Sequence, residues 1–336
     1  MDCLRDEYLE PFLLSLFKFF EKNNIEFLIL RNYLELPRHL RDGGDIDFVL
    51  SESSFRRIHK VLACMDDLDI LVFSKRTVVQ EFIVRYKENL FIKLDFHPYE
   101  DWHGAVYLTS RVIFDSSQKY NMFYVPSDFH QALTMLLASY LYGAFIKNKY
   151  MNFSKPILAQ SSELKEFIPI FGKKNVCAIQ DFAKGAISEN ELLKRRYSVL
   201  INLFVYNLKL DGLSFLFRFA KTRIEEIVFR IQYKGLIISL KTENNTKVIE
   251  HLRCFFETFL GKDRFLVIGE NTSLKMKLKS WDQVGRLKFL VYDNYSSILL
   301  RKPDIVIVNE LTAISEIVGF LIRREKGICQ RNVLSL

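Results

Sequence analysis

Three aspartates have the spacing of a metal-binding site. Asp45 and Asp47 stand two residues apart in GGDIDFVL, and Asp95 follows in FIKLDFH. In a strand, residues i and i+2 point to the same side, so Asp45 and Asp47 are expected side by side with Ile46 buried behind them. Adjacent carboxylates repel each other, and a cation that neutralises them stabilises such a pair. The spacing therefore predicts a divalent-metal site.

Asp95 completes this site if its strand lies beside the strand that carries Asp45 and Asp47. It stands between Leu94 and Phe96, where a lone charge among apolar neighbours needs a partner. Three converging carboxylates would suit two Mg²⁺ or Mn²⁺ ions about 3.5–4 Å apart, which clamp the attacking and leaving oxygens of a phosphoryl displacement. The alternative is that Asp-x-Asp only caps a helix or ends a strand, as aspartate often does in turns.

The segments around the aspartates have the pattern of an α/β domain. Apolar residues at helical spacing predict a helix over residues 6–22, and IEFLIL and DIDFVLS are strand-length apolar runs on either side of a loop with Gly43-Gly44. An amphipathic helix follows in SSFRRIHKVLACM, and DILVFSK, QEFIVRYKE and LFIKLDFHPY alternate like strands. This order predicts that residues from about 24 to 100 form the core of the domain, with Pro98 ending the last strand.

Two further units are predicted after this domain, which extends over residues 1–125. From Pro126 helical periodicity dominates, beginning with a helix capped by Ser127, and this predicts a helical domain over residues 126–232. Beyond it, GLIISLK, RFLVIGE, RLKFLVYD and PDIVIVNE are short apolar runs between helical segments. They predict a small α/β domain with a mainly parallel sheet over residues 233–336, so the predicted fold class is α/β (α+β).

The order of helix, strand, loop, Gly-Gly-Asp-Ile-Asp, strand and later aspartate resembles the polymerase-beta-like nucleotidyltransferase superfamily. Its divergent members in bacterial surface-polysaccharide gene clusters share LRNYxxLP followed by DIDxxV. This chain has LRNYLELP at 30–37 and GGDIDFVL at 43–50. The resemblance implies that Asp45 and Asp47 bind metal, and that Asp95 completes the metal site and helps to activate the acceptor hydroxyl.

One part of the superfamily signature differs in this chain. Where the superfamily places Gly-Ser after the first strand, so that the backbone approaches the nucleotide phosphates, this chain has Arg31-Asn32. Two interpretations stay open. Either Arg31 grips phosphate through paired hydrogen bonds, with Asn32, Gly43 and Gly44 completing the nucleotide-binding loop, or the site no longer binds an NTP.

His97 is a further polar residue near the predicted site. It follows Asp95 by two residues and shares its face of the strand, so it could assist a proton transfer or contact phosphate. Because it stands at the end of a strand, directly before Pro98, a structural role is the favoured interpretation.

The C-terminal region resembles a thymidylate-kinase-like domain that has lost its phosphate loop. GLIIS and VIEHLRCFF match the first strand and helix of such a domain, but residues 239–246 lack both glycines and the lysine of GxxxxGK followed by Ser or Thr. Glu243 adds repulsion against phosphate. The resemblance implies a degenerate, pseudokinase-like unit with a structural or partner-binding role, and phosphate binding through Lys247 is the less favoured alternative.

The basic residues are unevenly distributed. The net charge is +8, yet residues 1–125 carry 16 Lys/Arg and 20 Asp/Glu, whereas residues 126–336 carry 32 and 20. This excess could attract an anionic glycan, a sugar-phosphate acceptor or an anionic membrane surface, or it could only keep the protein in solution. A nucleic-acid partner is disfavoured, because neither an RNA-binding motif nor an aromatic-basic stripe is found.

The cysteines and the apolar segments predict a cytoplasmic protein. Five scattered cysteines without a CxxC pair argue against a disulfide framework and a zinc site. The N-terminus lacks the basic start and the cleavage site of a secretory signal. Residues 198–220 are the most apolar later segment, but Lys209, Asp211 and Arg218 interrupt it, which predicts a buried or interfacial helix pair rather than a membrane span.

Two hypotheses of function follow from these observations. The first is an Mg²⁺-dependent nucleotidyltransferase that moves a nucleotidyl group from an NTP to a sugar, a glycan or another hydroxyl or phosphate acceptor in surface polysaccharide biosynthesis. The second is a catalytically inactive relative that binds a partner or scaffolds a complex in the same pathway. Metal-dependent NTP binding distinguishes them, because a scaffold does not require it.

Overall fold

A computed structural model describes the protein over residues 2–31, 33–40, 45–87, 90–143, 146, 148–231, 236–240, 245–260, 265–268, 289–293, 305–307 and 313–333. Within these ranges the chain forms twelve α-helices and thirteen β-strands. The mixed α/β fold class predicted from the sequence is therefore confirmed, whereas the predicted division into three domains stays a prediction.

The N-terminal region is built on a five-stranded mixed sheet. Its elements are α1 (Asp2–Lys22), β1 (Phe27–Arg31), β2 (Asp45–Leu50), α2 (Glu52–Leu62), β3 (Leu68–Lys75), β4 (Gln80–Tyr86) and β5 (Leu90–His97). The strand order is β1-β2-β5-β4-β3, in which β2 and β5 are parallel and the other neighbours are antiparallel. As predicted, β5 ends directly before Pro98.

Helices α1 and α2 cover one face of this sheet. Phe12 and Phe20 of α1 belong to the same buried cluster as Ile46 and Phe48 of β2. Because side chains alternate along a strand, burying Ile46 and Phe48 against α1 directs Asp47 to the opposite face.

The opposite face is covered at its two ends by later parts of the chain. Leu28 and Val49, near the β1 edge, pack into the core of the helical region. Ile83 and Phe91 pack with the C-terminal sheet and its helices, where the rings of Phe91 and Phe255 lie 4.8 Å apart. The polar side chains of β2 and β5 lie between these two apolar contacts.

Small sheets and helices connect β5 to the C-terminal region. Two hairpins that the sequence patterns did not predict come first, with one short helix between them: β6 (Tyr99–Trp102) with β7 (Ala105–Thr109), α3 (Ser110–Asp115), and β8 (Gln118–Tyr120) with β9 (Phe123–Val125). The predicted helical region follows as α4 (Asp128–Tyr140), α5 (Asn148–Gln160), a 3₁₀ turn (Glu163–Phe167), α6 (Ile168–Phe171), α7 (Lys173–Ala183), α8 (Glu189–Lys194), α9 (Arg196–Asp211) and α10 (Leu213–Ile231). Ser127 caps α4 as predicted, accepting a hydrogen bond from the backbone N–H of His130.

Among the helices that the structure describes, none combines the length and the apolar character needed to cross a bilayer.

The described part of the C-terminal region contains the predicted parallel sheet. Its elements are β10 (Leu236–Leu240), α11 (Asn245–Leu260), β11 (Phe265–Ile268), β12 (Phe289–Asp293), β13 (Ile305–Ile307) and α12 (Ala313–Val333). All pairs in the order β11-β12-β10-β13 are parallel. Half of the stretch that would hold a phosphate loop, residues 241–244 with Glu243 among them, lies outside the described residues.

Candidate metal centre

Strand register places charged side chains in one row across the sheet. Arg31 of β1 lies opposite Asp47 of β2, Asp47 lies opposite Asp95 of β5, and Asp95 lies opposite Glu81 of β4. Asp45 precedes Asp47 by two residues and therefore points to the same face. The two strands that carry the predicted metal ligands are thus direct neighbours.

The three aspartates converge. One carboxylate oxygen of each, from Asp45, Asp47 and Asp95, lies within 4.8 Å of the others. Around Mg²⁺, ligand oxygens at about 2.1 Å from the ion stand up to about 4.2 Å apart, so side-chain shifts of under about 1 Å would bring all three into one shell. Asp47 and Asp95 are buried, whereas the Asp45 side chain is 38% exposed, so the site meets solvent at Asp45.

Arg31 engages Asp47 through both ends of its guanidinium fork. Its Nε donates to Oδ2 at 2.7 Å and its Nη2 donates to Oδ1 at 3.1 Å. A bulge after Ile29 shifts the β1 register, so that Arg31 faces Asp47 instead of following Ile29 into the α1 core. Burial alone would raise the pKa of Asp47, but the charge and hydrogen bonds of Arg31 outweigh it and lower this pKa. The predicted phosphate-gripping residue is therefore bound to one of the predicted metal ligands.

Lys93 was not among the predicted site residues, yet it lies among the carboxylates. Its Nζ contacts Oδ2 of Asp95 and lies 3.6 Å from Oδ2 of Asp45 and 3.5 Å from Oε1 of Glu81. The sequence signal for it was its position two residues before Asp95 on the same strand, which puts both side chains on one face. Lys93 neutralises part of the charge that a metal ion would balance.

Asp95 has a raised pKa, in contrast to the lowered pKa of Asp47. Burial raises its pKa, the charge of Lys93 lowers it, and the nearby carboxylates of Glu81, Asp45 and Asp47 raise it again, so that the pKa is about 7. Because the folded state holds this proton more tightly than the unfolded chain does, Asp95 makes the protein less stable as the pH rises from about 4 to about 7. Its Oδ1 is buried and has no hydrogen-bond partner among the described residues.

The residues present fit a divalent cation. Carboxylate oxygens are the ligands that Mg²⁺ and Mn²⁺ prefer, and a buried oxygen without a partner, as on Asp95, gains from a bound cation. The aspartates and the two cations Arg31 and Lys93 together carry one net negative charge in their ionised forms. A bound ion must therefore compete with both protein cations for the carboxylates.

Side chains from three later elements surround this centre and were not predicted. Glu100 of β6 is buried near Arg31 and Asp47. Burial raises the pKa of Glu100 to about 7, although the charge of Arg31 and a 3.1 Å hydrogen bond donated by the Tyr107 hydroxyl both lower this pKa. Tyr150 of α5 is also buried. Burial raises the pKa of its phenol, the charge of Arg31 lowers this pKa, and the charge of Asp47 raises it. Local patterns contain no signal for these residues, because tertiary packing of β6, β7 and α5 brings them to the site.

His97 is among the described residues, whereas three residues of the predicted nucleotide-binding loop are not. His97 Nε2 lies 3.9 Å from Oδ1 of Asp47, and burial lowers the pKa of this histidine to about 4, so its ring is neutral near pH 7. A neutral ring is compatible both with a structural role and with proton transfer, so the role of His97 stays a prediction. Asn32, Gly43 and Gly44 lie outside the described residues.

Comparisons with protein-family models, with curated protein sequences and with solved structures each found no match.

Proposed function

We propose that this chain is a divalent-cation-dependent nucleotidyltransferase. It would use Mg²⁺ or Mn²⁺ to move a nucleotidyl group from an NTP to a hydroxyl or phosphate group of a sugar or glycan, in the cytoplasmic part of surface polysaccharide biosynthesis. The observation that supports this most is the convergence of Asp45, Asp47 and Asp95 within 4.8 Å on neighbouring parallel strands. The basic excess of residues 126–336 suits an anionic acceptor.

The proposed reaction forms one bond to phosphorus and breaks another. An acceptor oxygen attacks the α-phosphorus, the bond from this phosphorus to the bridging oxygen breaks, and pyrophosphate leaves. A bound Mg²⁺ would polarise the α-phosphate and offset the charge on pyrophosphate. Asp95 would help to activate the acceptor hydroxyl by taking its proton.

Arg31 and Lys93 give this site a charge that can accept a triphosphate. Three ionised aspartates alone would repel an NTP, whereas with the two cations the group carries a single net negative charge. Movement of Lys93 from Asp45 and Asp95 to a phosphate would release both carboxylates for a metal ion. This charge balance favours one ion bound together with the NTP over two ions bound before it.

A second candidate is a catalytically inactive protein that binds a partner in the same pathway. It is supported by the same two cations, because Arg31 satisfies both oxygens of Asp47 and Lys93 contacts Asp95 and Asp45. In such a protein the ion pairs would replace the metal ion and hold the sheet together. Mg-NTP binding separates the two candidates.

A screen of substrates tests the proposed function. The full chain is incubated with each of the four NTPs, with Mg²⁺ or Mn²⁺, and with a panel of sugar phosphates. We expect pyrophosphate release and a nucleotidylated sugar, identified by mass spectrometry, for at least one combination. Calorimetric titration with each Mg-NTP is run beside it, and the absence of both heat and product would leave the inactive candidate.

A further inference from the structure

Helix α9 exposes an apolar side to solvent. Tyr197, Ile201, Val205 and Leu208 recur at helical spacing and are 72%, 63%, 40% and 37% exposed. The other side of α9 packs into the core of the helical region, where Leu203 is fully buried. The exposed residues are therefore not needed to attach the helix to the protein.

Helix α10 repeats this arrangement. Leu213, Phe217, Ile224 and Val228 follow one another at helical spacing and are 72%, 75%, 60% and 38% exposed. Phe215, on the inner side, is fully buried. Scattered exposed apolar residues are ordinary, but two consecutive helices with apolar outer sides mark an interaction surface.

The turn between the two helices is apolar as well. Gly212 joins α9 to α10 with φ of 54°, a left-handed conformation that favours glycine. Leu210 and Leu213, on either side of this turn, are 67% and 72% exposed. We call α9, the turn and α10 the α9–α10 hairpin; its apolar surface includes its tip.

The exposed charges on this hairpin all have the same sign. From residue 196 to residue 228, every exposed charged side chain is basic: Lys209, Lys221 and Arg223. The acidic residues of the stretch, Asp211, Glu225 and Glu226, are partly buried and pair with Arg218, Lys221 and Arg223, respectively. Lys221 and Arg223 stay exposed at the surface although they contact these acids. The hairpin thus offers apolar side chains and exposed positive charge together.

We propose that the α9–α10 hairpin binds the surface of an anionic lipid bilayer. Its apolar side chains would enter the boundary between headgroups and acyl chains, and its basic side chains would contact anionic headgroups. A second copy of the chain fits this surface less well, because two identical hairpins would bring like charges together. The proposal is independent of nucleotidyl transfer and would place the chain on a membrane face.

Vesicle binding tests the proposal. The full chain is sedimented with vesicles of phosphatidylcholine alone and with vesicles of equal parts phosphatidylcholine and phosphatidylglycerol. We expect binding to the anionic vesicles that weakens as salt is added, and little binding to the neutral ones.

Matched variants locate the binding surface. Changing both Ile201 and Phe217 to serine is expected to weaken binding to anionic vesicles by at least about tenfold, because buried apolar area is lost. The control Leu34→Ser alters a leucine that is 64% exposed outside the hairpin and should leave binding unchanged. Changing Lys209 and Lys221 to glutamate should weaken binding by about 25-fold or more, since each basic residue near an anionic surface contributes roughly fivefold.

Three outcomes would overturn the proposal. They are no binding to either kind of vesicle, equal binding to neutral and anionic vesicles, and vesicle binding that both hairpin variants retain. Light scattering is measured on the same samples. A dimer that the Ile201 and Phe217 changes dissociate, without any vesicle binding, would assign the surface to a second copy and contradict the membrane proposal.

Discussion

Asp45→Ala is expected to lower Mg²⁺-dependent NTP turnover by on the order of 10³-fold, because the variant removes a ligand of the ion that stabilises the reacting phosphate. The free energy of unfolding should change by no more than about 0.5 kcal/mol, as for other partly exposed side chains. The Asp45 side chain is 38% exposed, and removing it also removes repulsion against Asp47 and Asp95. Turnover is measured as pyrophosphate release, and stability by urea denaturation of the same preparation.

The matched control for this variant is Asp66→Ala. Asp66 is an exposed aspartate in the turn before β3, away from the triad. Its replacement should leave turnover unchanged. If Asp45→Ala turned over NTP as fast as Asp66→Ala does, the assignment of the active site to the triad would be wrong.

Arg31→Met is expected to lower the free energy of unfolding by about 3 to 5 kcal/mol. The side chains of Arg31 and Asp47 are only 17% and 4% exposed and share two hydrogen bonds. The variant leaves the charge of Asp47 buried without its main partner, and this uncompensated charge is the source of the loss. Urea denaturation measures the effect.

Two comparisons establish that the loss comes from the broken pair. Changing Asp47 to leucine together with Arg31→Met should recover most of the stability, since apolar side chains of similar volume can replace a buried ion pair. Arg56→Met breaks an ion pair with Glu52 whose side chains are 78% and 67% exposed, and it should cost less than about 0.5 kcal/mol. An equal effect of Arg31→Met and Arg56→Met would contradict the buried pair.

Local sequence patterns predicted the elements that carry the triad. The alternation in GGDIDFVL placed Asp45 and Asp47 on one face with Ile46 behind them, and β2 has this arrangement. Local patterns could not predict that β2 and β5 are neighbours, because strand neighbours are set by the packing of the whole sheet. In the structure, β2 and β5 are parallel neighbours, and Asp47 lies opposite Asp95.

The direction of Arg31 illustrates what alternation alone misses. Regular alternation would turn Arg31 to the same side as Ile29, toward the α1 core, where a charge is costly. The bulge between these residues reverses it and creates the pair with Asp47. Lys93 could have been predicted from its spacing to Asp95, whereas Tyr150 reaches the site only through the packing of α5.

Titration with Mn²⁺ is the most direct test of whether the three aspartates bind metal. The full chain is titrated in the presence and absence of NTP, and unbound Mn²⁺ is followed by electron paramagnetic resonance. We predict saturable Mn²⁺ binding that Mg²⁺ displaces, that Asp66→Ala retains and that Asp45→Ala loses. Equal Mn²⁺ affinity in Asp45→Ala and the unaltered chain, or no binding by the unaltered chain under either condition, would contradict the metal site.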